Sequence, residues 1–199
     1  MISGIAGVDY GSKLAGTTAI AAITASGGID IRQSAKGQDA DRFLLEQITS
    51  IQVQQIFIDA PLSLPMVYRS PEAYDDYFYR VADRTLQAMS PLFLGGLTAR
   101  AMQLARRLSE LDIMVYEVYP AYLARLLKLQ EMGYKKDINQ LPDVVQELLQ
   151  HLPYPLAPQV TIAANWHQAD ALLALLSGIR YMQQQHETFG NTTEGIIIV

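Results

Sequence analysis

Four acidic residues stand where apolar segments end or run on. Asp9 follows Ile5-Ala6-Gly7-Val8, Asp59 follows Ile56-Phe57-Ile58, and Glu117 follows Met114-Val115-Tyr116. Asp170 is set in Ala169-Asp170-Ala171-Leu172-Leu173. An idle carboxylate among apolar neighbours is costly, so such positions mark buried ion pairs or function. Carboxylates gathered in one place repel one another unless protons or cations intervene. Mg²⁺ and Mn²⁺ take oxygen ligands. Two such ions about 3.5–4 Å apart can clamp the attacking and leaving oxygens of a phosphodiester. Asp9, Asp59, Glu117 and Asp170 are therefore the expected catalytic residues and metal ligands. Each acid alone has a plainer reading, as a turn former, a helix cap or half of a salt bridge. The shared address of Asp9, Asp59 and Glu117 at the ends of predicted strands, with Asp170 on a last helix that can point it toward the sheet, favours the metal reading.

Other residues could assist. His167 lies three positions before Asp170, on nearly the same helix face, where it could be a ligand, a proton carrier or a helix cap. Lys13, Arg80 and Arg84 are candidate phosphate-binding cations, and Asp83 stands beside the two arginines. A solvated turn is the commoner fate of a residue like Lys13. Arg106-Arg107 and Lys135-Lys136 read as solvated charge runs, and His151 and His186 as surface residues.

Composition narrows the chemistry. The 199 residues contain no cysteine, which excludes disulfides, thiolate metal sites and a cysteine nucleophile. The formal charge is −5, from 20 acidic against 15 basic residues. Nucleic acid as a partner fits the carboxylate chemistry, yet tight unassisted binding draws on a basic surplus that is missing here. No apolar run is long enough to span a bilayer. The first residues lack the basic region of a signal peptide. A cytoplasmic protein, with no membrane partner, is expected.

The elements that must position the acids follow from periodicity. Residues 5–9, 17–24 and 29–33 read as three strands joined by short turns, the second turn being Ser26-Gly27-Gly28. Asp39 or Asp41 caps a helix that turns Phe43, Leu44, Ile48 and Ile51 inward. Residues 55–59 form a fourth strand. An insertion with helical pieces occupies about 65–96. A helix over 97–111 leads to a strand over 112–119. Helices follow over 121–132, 142–152 and 163–185, with a stiff loop at Pro153, Pro155 and Pro158 before the last. Residues 196–199 offer a short closing strand. Three antiparallel strands followed by helix-linked parallel ones make an α/β, RNase H-like domain. The expectation is a single domain over 1–199, with a mixed five-stranded sheet flanked by helices.

Five motifs now carry a resemblance: Gly7-Val8-Asp9, Ile58 to Pro65, Arg80 to Arg84, Glu117 to Ala121 and Ala169 to Ala174, with Glu194-Gly195 near the end. In this order the chain resembles the domain of unknown function 429 family, regarded as predicted RNase H-like nucleases. The resemblance spans nearly the whole chain. It implies Asp9, Asp59, Glu117 and Asp170 as the acidic positions, and Arg80 with Asp83 as the Arg/Asp motif. One departure is Ala82, where that family often has cysteine.

The leading expectation is a Mg²⁺- or Mn²⁺-dependent nuclease or related phosphodiester hydrolase. A non-catalytic binding module of the same fold is the alternative. An actin-like nucleotide phosphotransferase, built on the Asp9-Tyr10-Gly11 hairpin, ranks last. DNA, RNA, a branched junction and a small nucleotide all stay open as substrates, and a homodimer would suit a junction.

Overall fold

The structure, a computed structural model, describes residues 4–25, 27–155 and 163–199. Ser26 of the second turn and Pro158 of the proline loop lie outside these. Seven strands form one mixed sheet: β1 (Ile5–Asp9), β2 (Ala19–Ile23), β3 (Ile29–Gln33), β4 (Gln55–Asp59), β5 (Met114–Val118), β6 (Thr188–Asn191) and β7 (Gly195–Ile198). Their order is β3-β2-β1-β4-β5-β7-β6. The meander β1–β3 is antiparallel, while β4, β5 and β7 run parallel to β1.

The expected five strands become seven because the chain closes with a hairpin, in which β6 pairs antiparallel to β7. β7 overlaps the short closing strand foreseen at 196–199. β6 (Thr-Phe-Gly-Asn) is an exposed edge strand without a buried alternating face, so periodicity could not announce it.

Seven helices accompany the sheet: α1 (Ala40–Ile51), α2 (Val81–Leu86), α3 (Pro91–Leu94), α4 (Gly96–Ser109), α5 (Pro120–Leu126), α6 (Leu141–Gln150) and α7 (Trp166–Met182). Asp39, not Asp41, caps α1, accepting from the backbone N–H groups of Asp41 and Arg42. The helix expected over 121–132 stops at Leu126 and gives way to turns, with Lys128 and Lys135 at positive φ.

The sheet separates two cores. On one face Ala6, Val8, Ile56 and Ile58 meet Phe43 and Leu44 of α1 and Leu104 and Leu108 of α4. On the other, Phe57 and Val118 pack under α5, α6 and α7. Every residue of α7 from Ala169 to Ile179 is buried. A helix buried all round is a central one, and α7 is laid across the sheet. No helix among the described residues is long and apolar enough to cross a membrane.

Candidate metal centre

β1 and β4 are in register, so Asp9 and Asp59 are direct neighbours at the carboxyl ends of two parallel strands. Side chains alternate along a strand, and residues paired across parallel strands share a face. Phe57 packs toward α7, so Asp59, two residues on, points the same way. Asp170 comes down from the first turns of α7, capped by the Asn165 side chain accepting from Gln168 N–H. Carboxylate oxygens of Asp9, Asp59 and Asp170 lie within 4.8 Å of one another.

Two of the three acids have a basic partner. The Nδ1 of His167 is 2.7 Å from Asp9 Oδ2. Asp170, only 2 % exposed, receives the Tyr134 hydroxyl at Oδ1 and pairs with Lys135 at Oδ2, each at 2.5 Å. The Asp59 carboxylate has no hydrogen bond or ion pair among the described residues. The electrostatics follow from this arrangement. Burial, then the Asp9 and Asp170 charges, push the Asp59 carboxyl well above its usual range. Burial pushes Asp170 up to about 6 against the pull of Lys135. The hydrogen bond to Asp9 raises His167. Burial works to lower Lys135, but Asp170 outweighs it and the ammonium is held more firmly.

Glu117 does not join this triad. Its register partner is Ile58, one residue short of Asp59, so it leaves the sheet on the opposite face. There it binds Arg80. Nη1 and Nη2 of Arg80 reach Glu117 at 2.7 and 2.6 Å, while Nε and Nη2 reach Asp83 at 3.0 and 2.7 Å. Nη1 also donates to Ser63 Oγ at 2.8 Å. These bonds use all five guanidinium N–H groups, and the residue is 1 % exposed. Arg80 and Asp83 thus tie the insertion to β5, and Arg80 has no donor left for a phosphate. Burial raises the Glu117 carboxyl, and Arg80 opposes it.

The remaining candidates lie elsewhere. Arg84 is exposed, paired with Asp76 at 2.7 Å and stacked 3.9 Å above the Tyr79 ring. Lys13 pairs with Asp39 at the start of α1, 3.3 Å away. His151 sits 3.4 Å from Glu147, and His186 packs its ring on Tyr181. The hairpin after Asp9 is filled: a Cβ on Gly11 would lie 2.1 Å from Thr17 Oγ1, and Gly11 N–H donates to Thr18 Oγ1. Its backbone is not open to a phosphate.

Lys135 and Tyr134 are the site residues that sequence reasoning missed. Lys135 read as part of a solvated run. The signal available was its neighbour, a tyrosine after Gly133 in an otherwise polar stretch. Lys135 takes φ 57°, a region that non-glycine residues seldom occupy, and its ammonium reaches Asp170.

A cavity of about 400 Å³ opens at this end of the sheet. Asp9, Asp59, Lys135, Arg80, Asp83 and Glu117 are among the residues that line it. The whole defines an α/β protein with a three-aspartate cluster at the carboxyl ends of its central parallel strands. The chain matches no protein-family model, no curated protein and no solved structure.

Proposed function

We propose that this chain is an RNase H-like, Mg²⁺- or Mn²⁺-dependent phosphodiester hydrolase, related to the domain of unknown function 429 family. The observation that carries the reading is the meeting of Asp9, Asp59 and Asp170, from three separate elements, within 4.8 Å. The strand order β3-β2-β1-β4-β5 agrees with an RNase H-like core extended by a hairpin. The donor set fits the metal. It is all hard oxygen, the Asp59 carboxylate lacks a partner among the described residues, and the elevated Asp59 and Asp170 carboxyls record charge that a divalent ion would relieve.

Asp9, Asp59 and Asp170 would hold the ion. Bound there, it would lower the pKa of a water and offset charge on the phosphate oxygens. His167 commits Nδ1 to Asp9, so a proton exchanged with substrate would travel through Nε2. Lys135 keeps Asp170 ionised at neutral pH. Arg80, with Asp83, fixes Glu117 and the insertion that walls the cavity.

The test is calorimetric titration of the protein with Mn²⁺, alongside Asp9→Asn. Binding in the parent and its loss in the variant, with an unchanged circular dichroism spectrum, is the expected result. No binding at millimolar Mn²⁺ would instead favour a non-catalytic module. Retained Mn²⁺-dependent cleavage of a phosphodiester in Asp9→Asn would remove Asp9 from the mechanism.

A further inference from the structure

The lining of the cavity is of two kinds. Besides the acids and Arg80 it includes Met89, Leu94 and Leu97, contributed by the insertion and the start of α4, and Tyr10 and Tyr119. Met89 is 60 % exposed although it borders the pocket. An apolar wall opposite a few convergent polar groups is the usual build of a small-molecule site. The volume agrees. At about 400 Å³ it lies within the roughly 300–1,000 Å³ usual for small-ligand clefts.

The acids are also recessed. Asp170 is 2 % exposed, and the Asp9 side chain, at 14 %, is scarcely open. A phosphate riding on the outside of a stiff duplex would not reach them, whereas a small ester entering the cavity would. Three arginines near the cavity and the start of α4 are engaged elsewhere. Arg80 is saturated, Arg84 pairs with Asp76, and Arg100 pairs with Asp41. A formal charge of −5 counts against tight unassisted binding of a polyanion.

Building on the hydrolase reading, we infer that the substrate is a small phosphodiester of about mononucleotide size. Its phosphate would meet the aspartates, and its apolar or aromatic group would lie against Met89, Leu94 and Leu97. The insertion is then a specificity wall, held in place by the Arg80–Glu117 pair.

The experiment is calorimetry on the full chain preloaded with Mn²⁺, using adenosine cyclic 3′,5′-monophosphate and, separately, a 12-base-pair duplex. Metal binding is measured first, so that loss of the hydrolase reading is seen independently. Absence of Mn²⁺ binding brings down both. Given metal binding, the monophosphate is expected to bind and the duplex to bind far more weakly. Met89→Glu, at an exposed position that leaves folding intact, is expected to weaken the monophosphate about tenfold while Mn²⁺ affinity holds. Duplex binding as tight as that of the monophosphate, or a Met89→Glu variant with unchanged monophosphate affinity, overturns the inference and leaves the metal site standing.

Discussion

Gly7 and Ala171 meet backbone to backbone: a Cβ built on Gly7 would lie 2.4 Å from the Ala171 carbonyl oxygen and 2.0 Å from Leu175 N. Gly7 is two residues before Asp9, and Ala171 directly follows Asp170. The missing side chain lets α7 settle onto β1 and so brings the two carboxylates together. Gly7→Ala must push back a helix whose backbone cannot yield. It is expected to cost at least about 3 kcal/mol in urea unfolding and to abolish Mn²⁺ binding. Gly96→Ala, where an added Cβ meets nothing within 4 Å, is the control and should be neutral or slightly stabilising. A Gly7→Ala protein as stable as the control would disprove the close seating.

Stability should fall as pH rises in the metal-free protein. The Asp170 carboxyl sits at about 6 when folded, against 3.8 ordinarily. Between those values the folded state holds a proton that the unfolded state has released, so raising pH favours unfolding. For Asp170 the loss is on the order of 3 kcal/mol, complete above about pH 6. Asp59, raised in the same direction, adds to it. His167, also raised, contributes stability below its unfolded value near 6.5 that disappears as pH climbs through its folded value. Melting temperature with chelator present is expected to drop from pH 4.5 to pH 8. Mg²⁺ should restore it at pH 8 and do little at pH 4.5. A flat or rising profile would contradict the clustered acids.

Much of this arrangement was written locally. The apolar runs ending in Asp9 and Asp59, the helical stripe of α4 and the acid inside α7 each follow from spacing within a few residues. What the sequence concealed is relational. Glu117 looked equivalent to Asp59 because both close apolar strands, but the face an acid takes depends on the register between strands. Here Glu117 pairs with Ile58. Tyr134 lies 36 residues from Asp170 along the chain, in a segment of turns without periodicity. Arg80 looked like a phosphate ligand because its motif shows its charge and not its burial.

The two arginines of that motif should behave oppositely. Arg80→Ala leaves Glu117 and Asp83 buried without their cation, which is expected to cost about 3–5 kcal/mol. Arg84→Ala breaks an exposed pair and should cost no more than about 1 kcal/mol. Glu117→Gln should destabilise by an intermediate amount, since Arg80 keeps Asp83 and Ser63 as partners. Chemical denaturation of the three variants gives the ranking. An Arg84→Ala loss equal to that of Arg80→Ala would show that the buried network does not anchor the insertion.

Lys135 places a positive charge 2.5 Å from a carboxylate that the metal also needs. Two opposed effects follow from its removal. Without the ammonium, Asp170 is protonated more readily, because burial no longer meets the counteracting charge. Without it, too, a divalent cation entering the triad meets less repulsion. The pH decides which effect dominates. At pH 5.5, Lys135→Met should bind Mn²⁺ more weakly than the parent, since a proton occupies the ligand. At pH 8.5, where higher pH favours the ionised ligand, the variant should bind about tenfold more tightly. Titrating both proteins with Mn²⁺ at the two pH values checks this crossover. Weaker binding by the variant at both would make Lys135 a support for the site rather than a competitor for it.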